Sequence, residues 1–350
     1  MNQTEAGVRA DALPYAYGGP AALGRIKAAP DDFIVDEILG FEPCGEGEHI
    51  FFRIEKGGEN TDHVARQLAR FVEAPKRAVS YAGMKDRHGR TAQWFSVHLP
   101  GKREPDWTAF NSPTRTVLAA LRHNRKLKKG ALAGNRFQIT VRGLQGDRER
   151  VDEILHRIGR EGVPDYFGMQ RFGHDGRNLA QAQALFLGEL RVKDRSLRGI
   201  YLSAARSFIF NQVLARRVAD GSWNRAIPGD VFMFTGSHSF FKDAVTPEIE
   251  GRVQALEIHP SGPLWGKGES PAEDQALNIE TETAAAHALF CEGLARSGME
   301  MARRPLRLAL GDLQWDYPAA GSLRLRFSLP AGAYATAVLR EAVQFEQPIE

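Results

Sequence analysis

Lys85, Asp86, Arg87 and His88 stand side by side in the stretch VSYAGMKDRHGRTAQWFSVHL, residues 79–99, and one acid among cations is equipped for nucleophilic or general-base chemistry. Gly83 and Gly89 bracket the charged residues and let the backbone turn sharply or lie close to a ligand. On the near side, Val79 and Tyr81 hint at a strand. On the far side, Phe95, Val97 and Leu99 alternate with Trp94, Ser96 and His98, which predicts a strand with one buried face. The acid is thereby expected at a sheet edge. A hairpin tip with a solvated Asp and Lys has the same local composition, so the loop gains meaning only from the elements around it.

Those elements belong to a chain of 350 residues, 43% hydrophobic and 25% charged, long enough for one large domain or two medium ones. The opening MNQTEAGVRADALPY has no basic segment followed by an apolar one, and no apolar run approaches the ~18 residues of a membrane span, so a cytoplasmic protein is expected. Cys44 and Cys291 are far apart and lack CxxC or HxxxH partners, which argues against a disulfide framework or a zinc site. The net charge of +3 conceals an uneven distribution, because residues 101–150 hold twelve Lys and Arg against four Asp and Glu. Within them RHNRKLKK, residues 122–129, supplies Arg125, Lys126, Lys128 and Lys129, a run placed between structured stretches and suited to phosphate contact.

Taken in order, Phe33 and Val35 mark one strand and His49 to Ile54 another, joined by an expected hairpin through Gly45 and Gly47. Thr61 reads as an N-cap for a helix with Val64, Leu68 and Phe71 on one face. Asn135 and Arg136 lead into a strand through Phe137, Ile139 and Val141, and Val151, Ile154, Leu155 and Ile158 form an amphipathic helix. Past Gly162 the texture becomes aromatic and then helical. In DYFGMQRFG, Tyr166, Phe167 and Phe172 are expected to pack a joint while Arg171 reaches outward to phosphate. Strand texture returns at Leu306, Leu308 and Leu310 and again at Leu323, Leu325, Phe327 and Leu329, before a short closing helix. GPLWGKGES, residues 262–270, misses the phosphate-loop spacing, and HExxH, GxGxxG and GxSxG are all missing.

The motifs GMKDRHGRTAQW, NRF, DYFGMQRFG, LSAARSFIFNQ and LPAGAYAT, in this order, resemble the TruD family of transfer RNA pseudouridine synthases over nearly the whole chain. The resemblance implies an α+β fold: a catalytic domain with a mixed or antiparallel sheet flanked by helices, plus an inserted α/β TRUD domain. The catalytic domain would comprise residues 1–160 and 309–350, and the insertion residues 161–308. It also implies an isomerase that converts uridine 13 of transfer RNA to pseudouridine, a monomer working without cofactor or metal. Asp86 would be the catalytic carboxylate, attacking C1′ or removing a ribose proton, with Lys27 nearby lowering its pKa. Phe33, Asn135, Phe137 and Tyr334 would contact the substrate, and a flipped uridine needs such rings to replace its lost stacking. The family pattern PAGxFAT usually has Phe where this chain has Tyr334, which keeps the ring and adds a hydroxyl. Two rival readings are an inactive RNA-binding protein of the same fold, against which the intact loop argues, and an Asp-dependent hydrolase, which leaves the gathered basic charge unexplained.

Overall fold

The computed structural model describes residues 13–101 and 104–346. The reading of the first dozen residues, the contribution of Lys102 and Arg103 to the basic segment, and residues 347–350 lie outside the described residues. The chain runs through β1 (Ala22–Arg25), β2 (Phe33–Ile38), β3 (His49–Lys56), α1 (Thr61–Phe71), β4 (Val79–Tyr81) and β5 (Arg90–His98). Then come β6 (Arg115–His123), β7 (Gly134–Gly146), α2 (Arg148–Glu161), β8 (Val163–Pro164), α3 (Arg177–Leu187) and α4 (Arg195–Ala219). β9 (Val231–Phe234), β10 (Phe240–Lys242), α5 (Pro247–Gln254), β11 (Ile258–Leu264), α6 (Asp274–Ala286) and α7 (Ala288–Arg296) follow. The chain closes with β12 (Ala302–Pro305), β13 (Arg307–Leu308), β14 (Gly311–Asp316), β15 (Ser322–Pro330), α8 (Ala335–Ala342) and β16 (Val343–Glu346).

Among the described residues two compact units result, one from residues 22–101, 104–148, 310–332 and 343–346, the other from residues 13–21, 149–309 and 333–342. The first is built on a ten-stranded mixed sheet whose main path is β14-β15-β7-β2-β5-β3-β6. β4 pairs with β5, and β1 pairs with both β7 and β16. β2 lies parallel to β5 and β1 parallel to β16, while the other pairs are antiparallel. The hairpin expected between Phe33 and Ile54 does not form. β5 is inserted between β2 and β3, because the parallel β2–β5 ladder takes the edge that a hairpin partner would need.

β5 also differs from its expectation of one buried face, for Thr91 to Val97 are buried on both. Phe95 and Val97 join Ile50, Phe52 and Ile54 beneath α1, which contributes Val64, Ala65 and Leu68 at helical spacing. On the opposite face Trp94 packs with Phe51, Ala82 and Leu127. The segment bearing the basic run folds over that face, and Leu127 is its apolar anchor.

The second unit is organised around α4, which packs against α3, α6, α7 and β11. A four-stranded sheet in the order β10-β9-β11-β12 and the small pair β13-β8 complete its strands. The strand texture at Leu306 to Leu310 thus yields only a two-residue strand, with Arg307 opposite Pro164. Burial here includes paired charge: Arg217 with Asp230 and Arg303 with Glu280, each at 2.7 Å. Removing one partner of such a pair would strand the other.

Leu127 is 2% exposed, so Leu127→Ala should cost about 2–5 kcal/mol through lost burial and a residual cavity. The urea midpoint, with its slope unchanged, measures this; a loss below about 0.5 kcal/mol would mean that the face closes without Leu127.

Candidate active site

The loop between β4 and β5 places Asp86 against Lys27, whose ammonium hydrogen-bonds and ion-pairs with Oδ2. The other carboxylate oxygen, Oδ1, accepts the His88 backbone N–H at 2.9 Å. Lys27 and Asp86 side chains are 9% and 27% exposed, so the pair is largely withdrawn from water. Burial pushes the Asp86 carboxyl up, but the Lys27 hydrogen bond, the His88 amide and the Lys27 charge outweigh it and leave its pKa below the ordinary value. Lys27 itself has φ +57°, a left-handed conformation that costs a residue with a Cβ of order 1–3 kcal/mol and is found at sites held by their surroundings. Its ammonium also lies 4.6 Å from the centre of the Phe33 ring.

Glu37 and Lys56, which the sequence did not single out, join Thr61 in holding this loop. Lys85 reaches Glu37 of β2 at 2.6 Å, and the second Glu37 oxygen accepts the Trp94 backbone N–H at 2.8 Å. The Lys85 backbone N–H donates to Thr61 Oγ at 3.0 Å, and that hydroxyl donates to Gln93 at 3.0 Å. Thr61 is therefore the first residue of α1 and a brace for the loop, whereas Asn60 occupies the N-cap position. Lys56 donates to the Glu59 carbonyl at 2.9 Å and to the Asp86 carbonyl at 3.4 Å. Burial lowers the Lys56 pKa to about 8 against the opposing pull of Asp86 and Glu59. At Gly89 a Cβ would lie 2.4 Å from the Phe33 carbonyl oxygen, so glycine permits the loop to return along β2. No signal in the local sequence pattern marks Lys56 or Glu37; their roles arise from the β2–β5–β3 order.

Phe33 and Phe137 are brought together edge-to-face at 6.3 Å, and Phe137 stacks on Phe327 at 5.5 Å. Phe137 is 7% exposed, so its ring is chiefly part of the sheet's packing. Asn135, half-buried on β7, has its side-chain carbonyl oxygen buried without a hydrogen-bond donor among the described residues. A ligand N–H would satisfy it. Lys27, Phe33, Asp86, Asn135 and Phe137 all belong to the sheet unit, whereas Arg171 and Tyr334 belong to the other.

Arg125, Lys126, Lys128 and Lys129 are exposed around buried Leu127, whose backbone N–H donates to Ser96 Oγ at 3.0 Å and whose carbonyl accepts from Ser80 at 2.8 Å. Lys126, Lys128 and Lys129 line one groove with Lys76 and Arg77. The run is thus fixed to the sheet and presents its cations together. In the other unit Tyr166, Phe167 and Phe172 are buried. Arg171 is half-buried and donates to Ser203 Oγ at 2.9 Å and to the Tyr334 hydroxyl at 2.8 Å. Among the described residues no cluster of His, Cys, Asp and Glu is arranged to hold a metal, and no helix is long and apolar enough to cross a membrane.

The crystal structure of a protein assigned as tRNA pseudouridine synthase D from Methanosarcina mazei matches this backbone with a TM-score of 0.72 at 23% identity, covering 94% of this chain and 95% of that one. The class is therefore that of the pseudouridine synthase fold, α+β with a mixed sheet flanked by helices. The family model for tRNA pseudouridine synthase D (TruD) matches residues 10–178 and 177–342. A tRNA pseudouridine synthase D of Methylococcus capsulatus is 54% identical over 96% of this chain and 95% of its own length. Relatives of the same name from Nitrosococcus oceani and Pseudomonas putida are 49% and 47% identical, each covering about 95% of both chains. The chain belongs to the TruD family.

Lys27→Met removes the hydrogen bond and charge that offset burial, so the Asp86 carboxyl should titrate at higher pH than in the parent protein. Because the folded-state pKa is depressed, the pair's contribution to stability is full above the unfolded pKa of Asp and disappears as pH falls through the folded one. Carbon-13 NMR of the carboxyl reads the shift. An identical titration in both proteins would deny Lys27 this role.

Proposed function

We propose that this protein isomerises uridine to pseudouridine in transfer RNA, at uridine 13, with Asp86 as the catalytic carboxylate. The observation that carries the reading is a half-buried carboxylate kept ionised by Lys27, in a chain of the TruD family. The reaction breaks the bond from uracil N1 to ribose C1′, turns the base, and forms the bond from C5 to C1′. The proton lost from C5 is balanced by one gained at N1, so no redox partner or group donor is required. An ionised Asp86 serves either route into it, attack on C1′ or removal of a ribose proton. Lys27 maintains the charge, and Asn135 offers its unpaired carbonyl oxygen to an N–H of the base.

Flipping the uridine costs roughly a few kcal/mol of stacking. Phe33, Phe137 and the Tyr334 ring are assigned to the apolar contacts that offset it. The backbone of the RNA is assigned to Arg125, Lys126, Lys128, Lys129 and Arg171, the first four of which lie in the stretch where positive charge is concentrated, residues 101–150. We assign catalysis to a discontinuous domain, residues 1–160 and 309–350. Residues 161–308 form the insertion. Support comes from β14, β15 and β16, which rejoin the sheet carrying Asp86 after the helical segment. The protein is assigned to the cytoplasm and acts as a monomer.

Asp86→Asn preserves shape and removes charge, so transfer RNA should still bind while pseudouridine formation falls to background. The parent protein should modify a transcript with uridine at position 13 and leave one with cytidine there unmodified. Near-parental turnover by Asp86→Asn would end the assigned mechanism, and product at another position would end the assigned target. Binding without turnover by the parent protein would identify an inactive RNA-binding relative.

Replacing Arg125, Lys126, Lys128 and Lys129 by Gln should weaken binding for every RNA sequence and flatten the salt dependence of the binding constant. Each phosphate contact removed reduces the log–log slope by roughly 0.7 to 0.9. A slope equal to that of the parent protein would return the run to a solvated surface.

A further inference from the structure

A cavity of about 500 Å³ in the helical unit is lined by Gln170, Arg171, Asn178, Ser196, Ser203 and Tyr334, together with Gly199 and Ile200. The α4 residues fall at positions 196, 199, 200 and 203, one face of the helix, so a rigid element forms one wall. Asp194 caps the first turn of α4 by accepting the Ser196 and Leu197 amides, leaving Arg171 rather than the helix terminus as the positive feature of the cavity.

The hydrogen bonds around Arg171 have a fixed direction. A guanidinium only donates, so Ser203 Oγ and the Tyr334 hydroxyl must both accept from it. Each hydroxyl therefore keeps its own proton for another acceptor, and the neighbouring cation makes it a stronger donor. The Arg171 charge is also unmatched. Arg304, Arg217 and Arg303 of the same unit are paired with Asp165, Asp230 and Glu280, whereas among the described residues Arg171, like Arg206 and Arg307, has no carboxylate partner, and of these three Arg171 is the one that lines the cavity. Its Nε–H, like those of Arg206 and Arg304, is buried without an acceptor among the described residues. A cation and two hydroxyl protons lining one cavity suit an anionic oxygen ligand. Arg191, Lys193, Arg195 and Arg198 cluster around the start of the same helix and favour that charge.

We infer that this cavity is a phosphate subsite for the RNA substrate, with Arg171 supplying charge and the Ser203 and Tyr334 hydroxyls donating hydrogen bonds to one phosphodiester. The inference rests on the reading of transfer RNA as substrate and deepens it. It gives the Tyr334 hydroxyl, which the family pattern usually lacks, a task distinct from stacking. The Tyr334 ring has Phe167 as an edge-to-face neighbour at 6.4 Å.

The test measures transfer RNA binding by the full chain across a range of salt concentrations, beside melting curves, for the parent protein and Arg171→Gln, Arg171→Lys, Ser203→Ala and Tyr334→Phe. Arg171→Gln should flatten the log–log slope by roughly 0.7 to 0.9, the loss of one phosphate contact. Arg171→Lys should retain the slope but bind more weakly, because the fork that holds both hydroxyls is gone. Tyr334→Phe and Ser203→Ala should keep the slope and weaken binding about two- to tenfold at every salt concentration, the worth of one hydrogen bond. A parental slope in Arg171→Gln, or parental affinity in Tyr334→Phe, overturns the subsite even if Arg171→Gln melts early, since Tyr334→Phe and Arg171→Lys retain the packing. A parent protein that binds transfer RNA and forms pseudouridine while these variants match it loses the subsite alone. One that does neither loses the proposed function and the subsite with it.

Discussion

A carboxylate that must stay charged away from bulk water governs the architecture around Asp86. Its burial favours the neutral form, and the Lys27 ammonium and the His88 amide are foremost in reversing that preference. Lys27 meets it from a left-handed backbone conformation, an unfavourable local geometry stabilised by the pair it makes. The surrounding charges obey the same constraint. Lys85 is matched by Glu37, and Lys56 by two backbone carbonyls, so each buried cation near the acid has a partner. A half-satisfied arrangement of this kind would be worse than an apolar one.

The sheet makes such an arrangement possible. Parallel pairing of β2 with β5 sets Ile34 beside Arg90, and this short ladder puts Glu37 within reach of both Lys85 and the Trp94 amide. Gly89 admits the loop to the β2 backbone at a separation that no side chain would allow. α1 then contributes Thr61 from its first turn while its apolar face covers Phe95 and Val97. The same helix therefore seals the core and braces the loop, coupling the position of the acid to the global fold.

Charge is handled differently on the surfaces assigned to RNA. Arg125, Lys126, Lys128 and Lys129 stand in solvent around Leu127, whose burial and backbone hydrogen bonds keep them from dispersing as a flexible run would. In the helical unit, Arg217 and Arg303 are neutralised by buried acids and Arg307 is held by backbone carbonyls and His259, whereas Arg171 donates to two side-chain hydroxyls. Hydroxyls orient a guanidinium without cancelling its charge, which is the electrostatic condition for holding an anion.

Local pattern in the sequence was enough to place the central strands of the large sheet and several helices. Alternation marks β2, β3, β5, β7 and β15, and helical spacing marks α1 and α2, because side-chain periods of two and 3.6 residues report directly which face is buried. The charged loop and the ordered motifs also identified the family and the carboxylate's neighbour Lys27. Tertiary structure decided what those patterns do not encode. It inserted β5 between β2 and β3, buried both faces of β5, recruited Lys56, Glu37 and Thr61 to the loop, and joined Tyr334 to Arg171. These pairings link positions far apart in the chain, 163 residues in the case of Arg171 and Tyr334. Periodicity describes only a residue's immediate neighbours, whereas parallel pairing, a left-handed lysine and a hydroxyl beside a distant arginine exist only once separate elements have packed.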